Sequence, residues 1–144
     1  MKVLVDTCVI IDHLRGTQAA TDFLGQIEEG HVEGLVSAVT VMELFAGKSM
    51  DEEEENELRS LFGIFRLIPV DSGVAERAGR LLAQFRRTHG LNPVDALIAA
   101  TALVNDAALA SANERHFRII PGLLVMNPLA AANEPHQTLH QTEH

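Results

Sequence analysis

Residues 2–6 form a short β-branched apolar run closed by an acid, after which the chain changes to helical spacing over 8–14 and again over 18–29, with Gly16 between. That pattern predicts a strand followed by two helices. Residues 34–38 are a second short apolar run, 39–46 return to helical spacing, and Gly47 stands where a helix commonly ends. The acidic run over 51–57 suits the positive end of a helix macrodipole and opens a helix that ends near Phe62. A third strand is expected over 66–70. Asp71 or Ser72 then caps a long amphipathic helix to about His89, with Val74, Ala78, Leu81, Leu82 and Phe85 on one side, and Gly90 stops it. Asn92 and Pro93 read as the cap and first-turn proline of a helix to about Asn105. Its positions from Ala96 to Val104 are apolar almost all round, so that helix belongs at the centre. Residues 107–111 and 123–126 supply the last strands, with a helical turn around 114–117 between them.

Strands alternating with helices imply an α/β domain, with a mostly parallel sheet covered by helices on both faces. At 144 residues and 47% hydrophobic side chains, the chain is long enough to bury a core without disulfide or structural metal. One domain is expected over 1–128. Residues 129–144 read as a polar, flexible tail, in which His136, His140 and His144 stand at helical spacing. Two imidazoles of that set could share a metal; a solvated tail is the plainer account. Cys8 is the single cysteine and has no internal partner. Without a cleavable leader pattern or an apolar run long enough to span a bilayer, a cytoplasmic protein away from the membrane is expected.

The net charge of −9 has the wrong sign for a broad phosphate binder. Its distribution changes that picture. Six of the twenty acids lie within 51–57; with those and three acids discussed next set aside, eleven acids face eleven bases, nine of them arginine. A small local phosphate contact remains compatible with this balance. The absence of tryptophan and tyrosine argues against an aromatic platform for stacked bases.

Candidate chemistry lies in carboxylates embedded in apolar sequence, because aspartate and glutamate are almost never fully buried unless paired. Asp6 follows Val3-Leu4-Val5, Glu43 sits within Val41-Met42-Glu43-Leu44-Phe45, and Asp95 begins the apolar helix. None has a basic partner at helical reach. In a parallel α/β sheet, residues at the carboxyl ends of strands converge on one rim, where Asp6, Glu43, Asp95 and Asn113 could share a pocket. Carboxylates gathered there repel one another unless a cation compensates, and oxygen-only ligands favour Mg²⁺ or Mn²⁺. Such sites commonly act on phosphate esters.

Each residue also has a plainer account. Asp95 sits where an acid stabilises a first helical turn, Asn113 could simply cap the turn 114–117, and strand-end aspartates such as Asp6 often begin turns. Glu43, in mid-helix, gains nothing from capping. Asp12 could pair with Arg15 on its helix. Thr7, Ser37, Thr40, Thr101 and Ser111 could orient carboxylates or serve only as caps and packing residues. His116, beside Phe117, reads as a packing residue; Arg115 and Arg118 could touch phosphate or form a charged surface.

Four blocks carry a resemblance: Val5-Asp6-Thr7 with Ile10-Ile11-Asp12; Ser37-Ala38-Val39-Thr40-Val41-Met42-Glu43-Leu44; Asp95-Ala96-Leu97-Ile98-Ala99-Ala100-Thr101-Ala102; and Ser111-Ala112-Asn113-Glu114-Arg115-His116-Phe117. In order and spacing they resemble the PIN-domain superfamily, most closely VapC-type toxins, over about residues 1–128. The resemblance implies a three-layer sandwich with a central sheet and an Mg²⁺- or Mn²⁺-dependent endoribonuclease that is the toxin of a toxin–antitoxin pair. It implies Asp6, Glu43 and Asp95 as metal ligands and Asn113 in the fourth catalytic position, where neutral asparagine lowers the site's charge. It further implies a homodimer and an antitoxin protein covering the crevice, with Leu14 and Phe23 as docking points, although core packing is the plainer role for Phe23. Two other classes compete: a non-catalytic RNA- or partner-binding module of the same fold, and a receiver-like phosphoacceptor. The last lacks paired acids beside its first strand and a later lysine.

Overall fold

A computed structural model describes residues 1–133. It contains five strands, β1 (Lys2–Val5), β2 (Glu33–Ser37), β3 (Arg66–Ile68), β4 (Ala108–Ala110) and β5 (Val125–Met126). Its helices are α1 (Thr7–Leu14), α2 (Gln18–Glu28), α3 (Ala38–Ala46), α4 (Glu52–Phe62), α5 (Ser72–His89), α6 (Pro93–Val104), α7 (Glu114–Phe117) and α8 (Pro128–Asn133). The strands form one sheet in the order β3-β2-β1-β4-β5, and every pairing is parallel.

Alternation along each strand divides the core into two layers. Leu4, Leu35 and Leu109 face α5 and α6, packing with Val74, Ala78, Leu81, Phe85, Ile98 and Phe117. On the other face, Val3, Val5, Val36, Ala108 and Ala110 meet Val9, Ile10, Phe23, Leu24, Ile27, Leu44 and Leu58 from α1 to α4. The three-layer arrangement follows directly. As its apolar circumference requires, α6 is the central helix, with Ala96, Ile98, Ala99, Ala100 and Ala102 fully covered.

Two glycines are demanded by geometry. Gly90 closes α5 at φ 68°, a left-handed conformation that relieves the last helical carbonyls. Gly34 in β2 lies so close to α2 that a Cβ there would stand 2.6 Å from Ile27 Cγ2.

Chain order positions the site. After β1 the sheet grows one way through β2 and β3, then reverses to β4 and β5, so the carboxyl ends of β1 and β4 border the switch point where crevices open. Asp6 and Ser111 stand at those two ends, joined by the bond from Asp6 N–H to Ala110 O at 2.9 Å.

Boundaries differ in small, explicable ways. β3 ends at Ile68 rather than at residue 70, since Pro69 has no N–H to continue the ladder. Asp6, at φ −71° and ψ 155°, is the N-cap of α1 rather than a strand residue. The stretch expected to be a tail begins instead with α8, which lies against α2; Pro128 is buried and Leu129 packs on the core layer of α1 to α4. His136, His140 and His144 lie outside the described residues. Among the described residues no helix is long and apolar enough to cross a membrane.

Candidate functional site

Asp6 is 7% exposed, and its two carboxylate oxygens are held differently. Oδ1 accepts from Thr7 N–H at 2.8 Å, so capping α1 fixes the side chain. Oδ2 accepts from Ser111 Oγ at 2.8 Å, across the switch point. Cys8 Sγ lies 3.7 Å from Asp6 Oδ2 and from Ser111 Oγ, and accepts from Ala112 N–H at 3.4 Å. The loop after β4 is thereby tied to the first turn of α1.

Thr7 links this group to α3: its Oγ1 donates to Glu43 Oε1 at 2.6 Å and is 3.0 Å from Thr40 Oγ1. The hydroxyls of Thr7, Thr40 and Ser111 are all buried. Asp95 enters from α6, where Asn92 Oδ1 accepts from Asp95 N–H at 2.8 Å and Asn92 Nδ2 donates to Asp95 Oδ2 at 3.0 Å. Asp95 is thus both a capping partner and a half-buried charge. His116 Nδ1 is 3.6 Å from Asp95 Oδ2.

Burial pushes the Asp6 carboxyl above its ordinary range; hydrogen bonds from Ser111 and Thr7 oppose the rise, and the charge of Asp95 adds to it. Burial likewise raises Asp95, opposed by His116 and Asn92 and reinforced by Glu43. The Cys8 thiol is raised by burial and by Asp6. Asp6 thus feels the charge of Asp95, and Asp95 that of Glu43, although the three come from separate elements. Among the described residues no lysine or arginine pairs with any of the three. This is the donor chemistry that suits a hard divalent cation. In the conformations adopted here, with Glu43 turned to Thr7 and Asp95 to Asn92, no group of three His, Cys, Asp or Glu among the described residues is gathered closely enough to hold one.

A family model described as PIN domain matches residues 3–123. The chain belongs to the PIN-domain family. Within that family it is 39% identical over 121 residues to "Ribonuclease VapC19" of Mycobacterium tuberculosis, covering 83% of this chain and 95% of that protein. It is 40% identical over 117 residues to "Ribonuclease VapC10" of the same species, covering 80% and 85%. Among solved structures it resembles one chain of a toxin–antitoxin complex from Klebsiella pneumoniae, with a TM-score of 0.71 and 30% identity, covering 88% of this chain and 97% of that one. These relatives make it a PIN domain of the VapC type.

In this PIN domain the four sequence blocks meet at the carboxyl end of the sheet, but their residues are not equivalent there. Asn113 is exposed; its backbone N–H donates to Ser111 Oγ at 3.0 Å, and its side chain makes no cap hydrogen bond to α7. Ser37 Oγ caps α3 by accepting from Val39 N–H, and Thr101 Oγ1 donates to Leu97 O, so both serve their own helices. Asp12 and Arg15 form no ion pair among the described residues. Phe23 is core, whereas Leu14 is 44% exposed.

His116 corrects the packing expectation: its side chain is 64% exposed and faces Asp95, while its neighbour Phe117 is fully buried. Adjacent helical residues point in different directions, and that rule was the available signal. The contacts of Cys8 with Asp6 and Ser111 had a similar signal, since a residue two past a helix cap lies in the same first turn.

Proposed function

We propose that this chain is a divalent-metal-dependent endoribonuclease, the toxin of a toxin–antitoxin pair, in which Asp6, Glu43 and Asp95 would hold Mg²⁺ or Mn²⁺. The supporting observation is a chain of carboxylates at the end of β1, on α3 and on α6, in which the charge of Glu43 reaches Asp95 and that of Asp95 reaches Asp6, with no lysine or arginine paired to them among the described residues. The two ribonuclease relatives from Mycobacterium tuberculosis point the same way. The ion, when bound, supplies polarisation of the phosphodiester and a water of lowered pKa for in-line attack.

The chain's own residues do the positioning. Ser111 and the Thr7 N–H orient Asp6 from both sides, Thr7 Oγ1 orients Glu43, and Asn92 orients Asp95. Burial of Asp6 removes competing water from its oxygens.

The partner expected from the relatives is an antitoxin protein, and the complexed state of the Klebsiella neighbour supports it. A groove of about 350 Å³ suits an apolar segment of that partner: Ile11, Leu14, Leu44, Met50 and Leu58 line it, and Glu43 lies at its wall. A homodimer is the expected assembly of the free toxin.

RNA cleavage by the full chain tests the enzyme reading. Cleavage is expected with Mg²⁺ or Mn²⁺, to vanish with EDTA, and to be lost in folded Asp6→Asn and Asp95→Asn. Undiminished cleavage by those variants refutes the site; RNA binding without cleavage selects the non-catalytic module.

A further inference from the structure

Backbone bonds alone cannot stabilise a helix as short as α7. It is anchored by Phe117 and Ile120, which are 0% and 2% exposed in the core layer beside α6. That anchor leaves Arg115, His116 and Arg118 exposed, and with Asn113 and Glu114 they line an open cleft of about 370 Å³. The cleft adjoins the carboxylates through the approach of His116 to Asp95 and through Asn113 N–H, whose acceptor Ser111 Oγ itself bonds Asp6.

Charge on the cleft wall is uneven. Glu114 is engaged by Arg118 at 2.9 Å, whereas Arg115 has no ion pair or side-chain hydrogen bond among the described residues. The wall therefore presents one uncommitted guanidinium, together with the His116 ring nitrogen remote from Asp95. A guanidinium fork matches the oxygens of a phosphate, and an imidazole carrying both ring protons donates to the same group from Nε2 while Nδ1 faces Asp95. In a chain of net charge −9, a cationic wall against an acidic site suits a polyanion whose reacting phosphate lies at the acids.

We propose that Arg115 and His116 hold the RNA phosphate next to the scissile one and so set the register of the strand across Asp6, Glu43 and Asp95. This rests on the ribonuclease reading. No bond is made or broken at α7; its residues position substrate only.

The test uses the full chain carrying Asp6→Asn, in EDTA, with a fluorescein-labelled single-stranded RNA followed by anisotropy over a range of salt. Adding Arg115→Ala is expected to weaken binding about tenfold, the worth of one charge-assisted contact. It should also reduce the slope of log Kd against log salt by about 0.7, the share of one phosphate on a single strand. His116→Ala weakens binding less, and Arg115→Lys recovers the salt slope with only part of the affinity. Arg87→Ala, on α5 and outside the cleft, changes neither. In the native chain, Arg115→Ala raises KM more than it lowers kcat, with thermal unfolding unchanged. Unaltered affinity and slope in Arg115→Ala, while the native chain cleaves RNA, overturn this proposal and leave the ribonuclease reading standing. A native chain that neither binds nor cleaves RNA overturns both.

Discussion

At Asp6 the requirements of folding and of chemistry oppose one another. Its carboxyl is raised above its ordinary range chiefly by burial, so the folded chain binds that proton more tightly than the unfolded chain does. Its contribution to stability is therefore fully present below the unfolded pKa, near 4, and is lost as the pH rises through the folded-state value. In EDTA, Asp6→Asn is expected to raise the melting temperature at neutral pH and to leave it nearly unchanged at acid pH; with Mg²⁺ supplied, it abolishes RNA cleavage. Thermal unfolding across pH checks this; a neutral-pH melting temperature lowered by Asp6→Asn contradicts it. Thr7 is the second such residue. Thr7→Val removes the donor to Glu43 Oε1 and should cost about 1 kcal/mol of stability and roughly 10–100-fold in kcat/KM, with Thr7→Ser close to native. Equal activities of Thr7→Val and the native chain would show that Thr7 does not orient Glu43.

Among the elements, Gly34 marks where β2 and α2 approach most closely. A methyl group there meets Ile27 Cγ2, on the branch nearest the backbone, so Gly34→Ala should destabilise by about 1–3 kcal/mol. Ile27→Ala in the same chain, which removes Cγ2, should recover part of that loss, and denaturant unfolding of the double-mutant cycle measures the recovery. Additive losses contradict the proposed contact. The elements themselves were legible because apolar positions recur at helical spacing in α5, because α6 is apolar all round, and because caps such as Asn92 and Asp71 stand at helix starts. Edges were less so. Pro69 ends β3 early, and α8 lies at the start of a segment whose composition reads as solvated, although Pro128 is buried and Leu129 packs on the core layer. At the site, the positions of Asp6, Glu43 and Asp95 were legible as acids in apolar surroundings. The close approach at Gly34, the Thr7 to Glu43 bond and the outward turn of His116 depend on contacts between distant segments, which local pattern does not encode.

For the molecule as a whole, strand order sets the crevice: the reversal between β1 and β4 places Asp6 beside Ser111 at the switch point. The same architecture leaves an apolar groove beside Glu43, edged by the exposed Leu14. If an antitoxin segment occupies it, Leu14→Asp weakens partner binding at least tenfold while RNA cleavage and melting temperature stay near native, as the exposure of that side chain allows. Full retention of partner binding places the partner elsewhere. In the function proposed here, Asp6, Glu43 and Asp95 act as one cation-holding unit. Calorimetric titration of Mn²⁺ into the metal-free chain and into Asp6→Asn, Glu43→Gln and Asp95→Asn tests it most directly. The account predicts that the native chain binds and that each single substitution abolishes nearly as much affinity as the triple variant does; undiminished Mn²⁺ binding in any one folded variant, or none in the native chain, contradicts it.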